Sequence, residues 1–236
     1  MGHLLSKSKY IRGLQCDRAL WLDVHRPSLA RYTADQMRRF DRGRDFEYAF
    51  KATFPDGIDL SAELKRNVDA YPVRTAELLD KGDGVALFEA GFLYDDVLVL
   101  ADVVQQREDG TLDIYEVKSG TALSETYRRD AALQHYVISH CREVHSFSIV
   151  HAGYADVPSA ETFAGETPAH PGFAVVNLTE ELAAQHEEIE KNIAAMKAIA
   201  LATNEPDTPT GAHCLEPYGC PYQSHCQSGV RQLSLF

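Results

Sequence analysis

The sequence predicts an α/β fold, a mixed central sheet flanked by helices, with two helical chain ends set apart from it. Residues 85–118 hold three consecutive runs, VALFEAGFLYDD, VLVLADVVQQ and TLDIYEVKSG, rich in the β-branched and aromatic residues that suit strands. Segments with apolar residues at helical spacing lie on both sides of that block. The stretches 1–30 and 204–230 stand outside it and carry most of the cysteines.

Taken in order, Ser6 caps a helix running to about His25, with Tyr10, Leu14 and Trp21 near one face, and Pro27 closes it. Thr33 with Gln36 forms a capping box. The helix behind it turns Met37, Phe40, Phe46 and Phe50 towards a core and stops at the turn Phe54-Pro55-Asp56-Gly57. After the three strands a helix is expected from about Thr126 to Cys141, then strands near 145–154 and 173–178. Thr179 is expected to cap a long helix with Leu182, His186, Ile189, Ile193 and Met196 at helical spacing. The turn-rich stretch Asn204 to Gly211 leads into the last cysteines. There is no internal repeat.

The totals bound the function. The chain has 236 residues, 44% hydrophobic and 25% charged, the profile of a soluble globular protein. No apolar run reaches bilayer length, and MGHLLSKSKY lacks the apolar core of a signal peptide, so no membrane partner is expected and the expected location is cytoplasmic. Thiols stay reduced there, and five cysteines then suggest metal or cluster ligation over disulfides. The net charge of −12 argues against a nucleic-acid partner, yet residues 1–44 hold ten basic residues against four acidic ones. Such a basic segment on an acidic body suits a polyanion or a solvated helix face. No G-x-x-x-x-G-K-[ST] phosphate loop is present, which excludes that class of helicase.

The chemistry concentrates on Asp102, Glu116 and Lys118. Two carboxylates on neighbouring strands can hold a hard divalent cation through oxygen, and a lysine beside them can orient water or stabilise phosphate charge. Asp102 interrupts an apolar strand, where a charge needs a reason. Register decides whether the three meet. A two-residue turn at Asp109-Gly110 faces Asp102 with Val117 and sends Glu116 and Lys118 to the other side. A three-residue loop, Glu108-Asp109-Gly110 with Gly110 in the left-handed region, sets Asp102 opposite Glu116. The second arrangement is predicted; the competing reading of Glu116 and Lys118 is a solvent-facing charge pair.

Asp102, then Glu116-Val117-Lys118, then Gln134 on the next helix resembles the PD-(D/E)XK nuclease superfamily. The resemblance implies a restriction-endonuclease-like core at 31–203. It also implies Mg²⁺ or Mn²⁺ on Asp102 and Glu116, hydrolysis assisted by Lys118, and Gln134 as a further catalytic residue. Glu47, in RGRDFEYAF, matches the upstream acidic ligand of the RecB-like branch, and Glu89 is an outer candidate. That branch often places a tyrosine four residues after the glutamine; here that position is Ile138, and Tyr136 comes at plus two.

Cys16 ahead of this core, with Cys214, Cys220 and Cys226 behind it, is similar to the iron–sulfur RecB-like nucleases, including the CRISPR-adaptation nuclease and AddB-type nuclease domains. The resemblance implies a [4Fe-4S] cluster in a helical four-cysteine lobe built from 1–30 and 204–230. Four thiolates can hold a cluster or zinc, but zinc sites usually pair cysteines in C-x₂-C knuckles, and single cysteines at five-residue gaps favour the cluster. His213 and His225 are spare zinc ligands, and Cys141 is a leftover core residue. In the segment 231–236, Gln232, Leu233, Leu235 and Phe236 resemble the peptide that docks on the bacterial sliding clamp. The expected function is a divalent-metal-dependent DNA nuclease, exonucleolytic or single-strand-directed, tethered to the clamp. The alternative is a non-catalytic clamp-tethered DNA-binding or adaptor module.

Overall fold

The computed structural model describes residues 3–153 and 172–232, with the backbone alone at 35, 38–43 and 229–232. The chain begins with β1 (Leu5–Ser6), α1 (Lys7–Gln15), α2 (Asp17–His25), α3 (Ala34–Lys51), β2 (Ile58–Asp59), α4 (Leu60–Leu64) and α5 (Tyr71–Leu79). The meander β3 (Ala86–Tyr94), β4 (Val97–Gln106) and β5 (Leu112–Lys118) follows, then α6 (Glu125–Ser139) and β6 (Val144–Ala152). The chain closes with β7 (Phe173–Asn177), α7 (Thr179–Ala183), α8 (His186–Leu201) and α9 (Gln223–Gln232).

The fold is a mixed α/β sheet flanked by helices. Its path is β2-β3-β4-β5-β6-β7, with β1 added beside β4. β3, β4 and β5 are antiparallel neighbours, whereas β5 and β6 run parallel across the α6 crossover. The larger core joins Leu87, Ala101, Ile114, Leu133 and Ile193 with Tyr10 and Leu20 of the first two helices. A smaller core packs Phe50 of α3 on Phe88, Val103, Val117 and Val150. Full burial of such a side chain contributes about 1.5–3 kcal/mol, so Phe50 is a principal anchor of α3.

Several expectations change in detail. The helix from Ser6 to His25 breaks at Cys16, whose extended backbone (φ −169°, ψ 125°) ends α1 and starts α2. The capping box of Thr33 and Gln36 is present, and Phe46 and Phe50 pack inward. Met37 instead stands 51% exposed, and the side chain of Phe40 lies outside the described residues. Thr179 does not cap: its Oγ1 accepts the Phe147 N–H at 2.8 Å, tying α7 to β6, and the expected long helix divides into α7 and α8. Segment 1–30 serves two bodies, since Leu5 and Tyr10 enter the larger core while Ala19, Trp21 and Leu22 pack with Tyr222. Among the described residues no helix is long and apolar enough to cross a membrane.

The core holds a histidine that resists protonation. His135 of α6 is 4% exposed, and its Nδ1 lies 2.8 Å from His186 Nε2. Burial, followed by the charge of His186, pulls its pKa from 6.5 down to about 4. The unfolded chain therefore binds more protons than the folded one between these values. Its contribution is complete above pH about 6.5 and is lost as pH falls towards 4. Denaturant titrations should show the stability gap between wild type and His135→Gln shrinking by about 2–3 kcal/mol from pH 7 to pH 4.

Candidate active site

The site lies where two strands part. β4 and β5 pair from Gln106↔Leu112 to Val103↔Tyr115, and the ladder ends there. Arg107 N–H bonds Thr111 O at 2.9 Å, leaving Glu108-Asp109-Gly110 as a three-residue loop with Gly110 at φ +84°. That register carries Asp102 to the position across from Glu116, one step past the last pair. There the carboxylate replaces the missing ladder bond: Val117 N–H donates to Asp102 Oδ2 at 2.7 Å. Beyond the fork β4 takes a different neighbour, with Leu5↔Val97 and Ser6↔Leu98 pairing in parallel.

β3 and β4 also slip in phase here. Strict alternation puts residues an odd number apart on opposite faces. Yet Leu87 and Ala90 share the larger core, as do Ala101 and Val104. Glu89, at φ +55°, lies inside the slip on β3, and the ladder that pairs Phe88↔Val103 and Ala90↔Ala101 passes it across from Asp102. A non-glycine residue in that region stores backbone strain, of order 1–3 kcal/mol. Glu89, Asp102 and Glu116 thus form an acidic row over three strands.

Two charge groups meet at Asp102. In the first, Glu47, Glu89 and Asp102 each offer a carboxylate oxygen, and the three atoms lie within 4.8 Å of one another. Lys51 joins this group, bonding Glu89 Oε1 at 2.7 Å and pairing with Glu47. In the second, Glu116, 1% exposed, is held at Oε1 by Lys118 and by Lys7 Nζ at 2.9 Å. Lys118 also bonds Asp130 Oδ2 at 2.5 Å and sits 5.6 Å over the Tyr127 ring.

Proton affinities follow the geometry. Burial pushes Asp102 well up, and the charge of Glu116 adds to it. Burial likewise raises Asp130 and Glu89, against the pull of Lys118 and Lys51. Glu116 goes the other way: burial opposes its charge, but Lys118 and Lys7 hold it far below the usual carboxylate range. Lys118 loses by burial and gains more from Asp130 and Glu116, so it stays protonated. Gln134 is fully buried beside Glu116, whose charge its amide favours, yet among the described residues neither amide atom makes a hydrogen bond of full geometry. Among the described residues Glu116 Oε2 and Asp130 Oδ1 are also buried without a hydrogen-bond partner.

These residues fit a hard divalent cation. The donors are all oxygen, three converge, a fourth carboxylate keeps a free buried oxygen, and burial leaves Asp102 short of countercharge.

The chain ends meet beside this site. Gln15 Nε2 donates to the carbonyls of His213, Glu216 and Tyr218, and Gln36 Nε2 to that of Gly219 at 2.8 Å. Arg18 pairs with Glu205 at 2.6 Å, and Trp21 Nε1 bonds Ala202 O at 2.8 Å. Cys16, Cys141, Cys214, Cys220 and Cys226 are all free thiols. Cys16, Cys220 and Cys226 pack together around Trp21, Leu22 and Tyr222. Burial pushes these three thiols up, and the neighbouring sulfurs, Cys214 among them, add to it. Cys141 is remote, with its Sγ 3.6 Å from Leu93 O.

Asp102, Glu116, Lys118 and Gln134 therefore converge, and Glu47 and Glu89 join through Asp102. Tyr136 does not: its ring packs on Tyr94, His140 and His186 in the larger core. Four participants were not foreseen. Asp130 was legible as the residue one helical turn before Gln134 on α6, and Lys51 as the i,i+4 partner of Glu47. Lys7 and Tyr127 carry no local signal. Gln232 ends α9 with its side chain undescribed, and Leu233, Leu235 and Phe236 lie outside the described residues.

No family model matches the chain, and no curated protein matches it. A solved structure titled "Crystal structure of SSO0001" has 10% sequence identity, covers 86% of each chain and superposes with a TM-score of 0.29. At that score the likeness is too weak to bear on fold or function.

Glu116 is the shared counterion of two lysines, and breaking a buried pair from one side leaves a charge uncompensated. Glu116→Gln should lower unfolding free energy by about 3 kcal/mol in denaturant titrations, with part recovered in Glu116→Gln/Lys118→Met. Glu47→Gln, at a quarter-exposed position, should cost less than about 1 kcal/mol.

Proposed function

We propose that the protein is a divalent-metal-dependent DNA nuclease with a PD-(D/E)XK-type core and a structural iron–sulfur cluster held by its two ends. The observation that carries the reading is the convergence of Asp102, Glu116, Lys118 and Gln134 in the fork between β4 and β5. Mg²⁺ or Mn²⁺ would be held by Asp102 with Glu116, Glu47 and Glu89. When bound, such an ion polarises the phosphodiester and lowers the pKa of its water.

The remaining roles belong to the chain. Lys118, protonated between Glu116 and Asp130, serves as a positive donor that stabilises charge on the phosphate, and its raised proton affinity makes it a poor general base. Asp130 fixes the Lys118 ammonium, and Gln134 favours the ionised form of Glu116. Asp102 is oriented by the Val117 N–H, which donates to its Oδ2. Labelled single- and double-stranded DNA incubated with Mg²⁺ or Mn²⁺ should be cut, and Asp102→Asn and Lys118→Met should each lose at least about 100-fold in rate. Retention of DNA with no cleavage in any divalent ion would favour the adaptor reading instead.

The cluster proposal rests on Cys16, Cys214, Cys220 and Cys226. Cys16, Cys220 and Cys226 pack around Trp21, Leu22 and Tyr222, and Cys214 is close enough to act electrostatically on all three. A [4Fe-4S] cluster would tie the helix break at Cys16 to the C-terminal loop and stabilise both. Sliding-clamp binding through Gln232, Leu233, Leu235 and Phe236 rests on sequence alone. Anaerobically purified protein should absorb near 400 nm and carry about four irons per chain, and Cys220→Ser should lose both; stoichiometric zinc without iron would select the alternative.

A further inference from the structure

One lysine at the site comes from outside the sheet and its crossover helix. Lys7 is the first residue of α1 and directly follows β1, which occupies the edge of β4 that β5 has left. From there its ammonium donates to Glu116 Oε1 at 2.9 Å and lies 3.9 Å from Asp130 Oδ2. Its side chain is 29% exposed, against 17% for Lys118, so it is the outer of the two lysines on Glu116. An ammonium drawn this far from water needs a carboxylate partner, and among the described residues Glu116 Oε2 is left without a hydrogen bond. The other end of α1 is fastened at Gln15, whose amide bonds three carbonyls of the loop between Cys214 and Cys220 or just ahead of it. Tyr218 of that loop stands within electrostatic reach of Tyr127, Lys118 and Asp130.

We propose that Lys7 is a positioning residue of the nuclease site, holding Glu116 from the solvent side and competing with a divalent cation for that carboxylate. The inference rests on the nuclease reading for its catalytic consequence, but not for the competition. Any dication on Glu116 meets the Lys7 charge at close range, so Lys7 keeps affinity for the ion moderate while fixing the carboxylate that receives it. Because α1 runs from Lys7 to the Cys16 break, the chain ends set where that charge sits.

Calorimetric titration of Mn²⁺ into the full chain without nucleic acid tests the competition. Lys7→Met should bind Mn²⁺ about tenfold more tightly than wild type, since one positive charge leaves the site. Lys7→Gln keeps a donor for Glu116 without the charge and should show the same tightening even where Lys7→Met does not fold. In the cleavage assay at saturating Mn²⁺, the neutral variants should lose about tenfold in kcat, with KM for DNA changing by less than about threefold, and Lys7→Arg should regain most of the loss. Unchanged or weaker Mn²⁺ binding in a folded neutral variant, or no Mn²⁺ binding in either protein, overturns the proposal. Full kcat in the neutral variants overturns the positioning role. Absence of cleavage by wild type ends the nuclease reading instead, and the Mn²⁺ comparison still decides the competition.

Discussion

The parting of β4 from β5 is the constraint from which the site follows. A strand that leaves its neighbour strands backbone donors, and a buried N–H without an acceptor costs about as much as a lost hydrogen bond. Val117 meets that demand through the Asp102 carboxylate. The bond fixes Asp102 in a place with little water, next to Glu116 and opposite the distorted Glu89. The freed edge of β4 is covered by β1, and that cover delivers Lys7 into the opening. One local departure from regular pairing thus collects acids from three strands and a lysine from the first helix.

Charge balance then limits what the site can hold. Glu47, Glu89, Asp102, Glu116 and Asp130 face Lys7, Lys51 and Lys118. Fully ionised, the group carries two uncompensated negative charges, the complement of one dication. Without that countercharge the deficit falls on the residues that lack a close ammonium or are most buried, and Asp102 is raised while Glu116, gripped by two lysines, is not. The same comparison separates the roles of the two acids. Glu116, beside Lys118 and Lys7, is held towards its ionised form, whereas Asp102, raised by burial, has more to gain from a bound cation.

Much of this was legible in the sequence because it depends on local signals. Alternation and β-branched runs marked β3 to β5, and the loop at Glu108-Asp109-Gly110 specified the register that joins Asp102 to Glu116. The capping box at Thr33 placed α3 and, with it, Glu47. The remainder is tertiary. A phase slip at Glu89 needs two strands and two cores to define it, and VALFEAGFLYDD reads as an uninterrupted strand without them. The break at Cys16 opposes a continuous helical pattern from Ser6 to His25, and contacts with the distant C-terminal loop accompany it. Lys7 resembles any solvated lysine at a helix start until β1 is seen on β4. Tyr136 stands two residues short of the position where the resemblance places a tyrosine, and its packing on Tyr94 and His140 gives it a core role.

The two sides of the site therefore differ in how they are held. The inner wall, β5 and α6, belongs to the larger core through Ile114, Leu133 and Val137, so Glu116, Asp130 and Gln134 move only if that core moves. The outer wall is α1 and the loop around Tyr218, fastened to each other by Gln15, while Arg18 and Trp21 of the following α2 bond Glu205 and Ala202 ahead of that loop. These outer contacts are polar and partly exposed, and polar contacts of that kind contribute about 1 kcal/mol each against the much larger burial behind α6. The apolar contacts of the outer wall include Tyr10 of α1 in the larger core and the packing of Cys16, Cys220 and Cys226 around Trp21 and Tyr222. A cluster on those thiols, as proposed, would brace this outer wall and, through α1, the charge that Lys7 presents to Glu116.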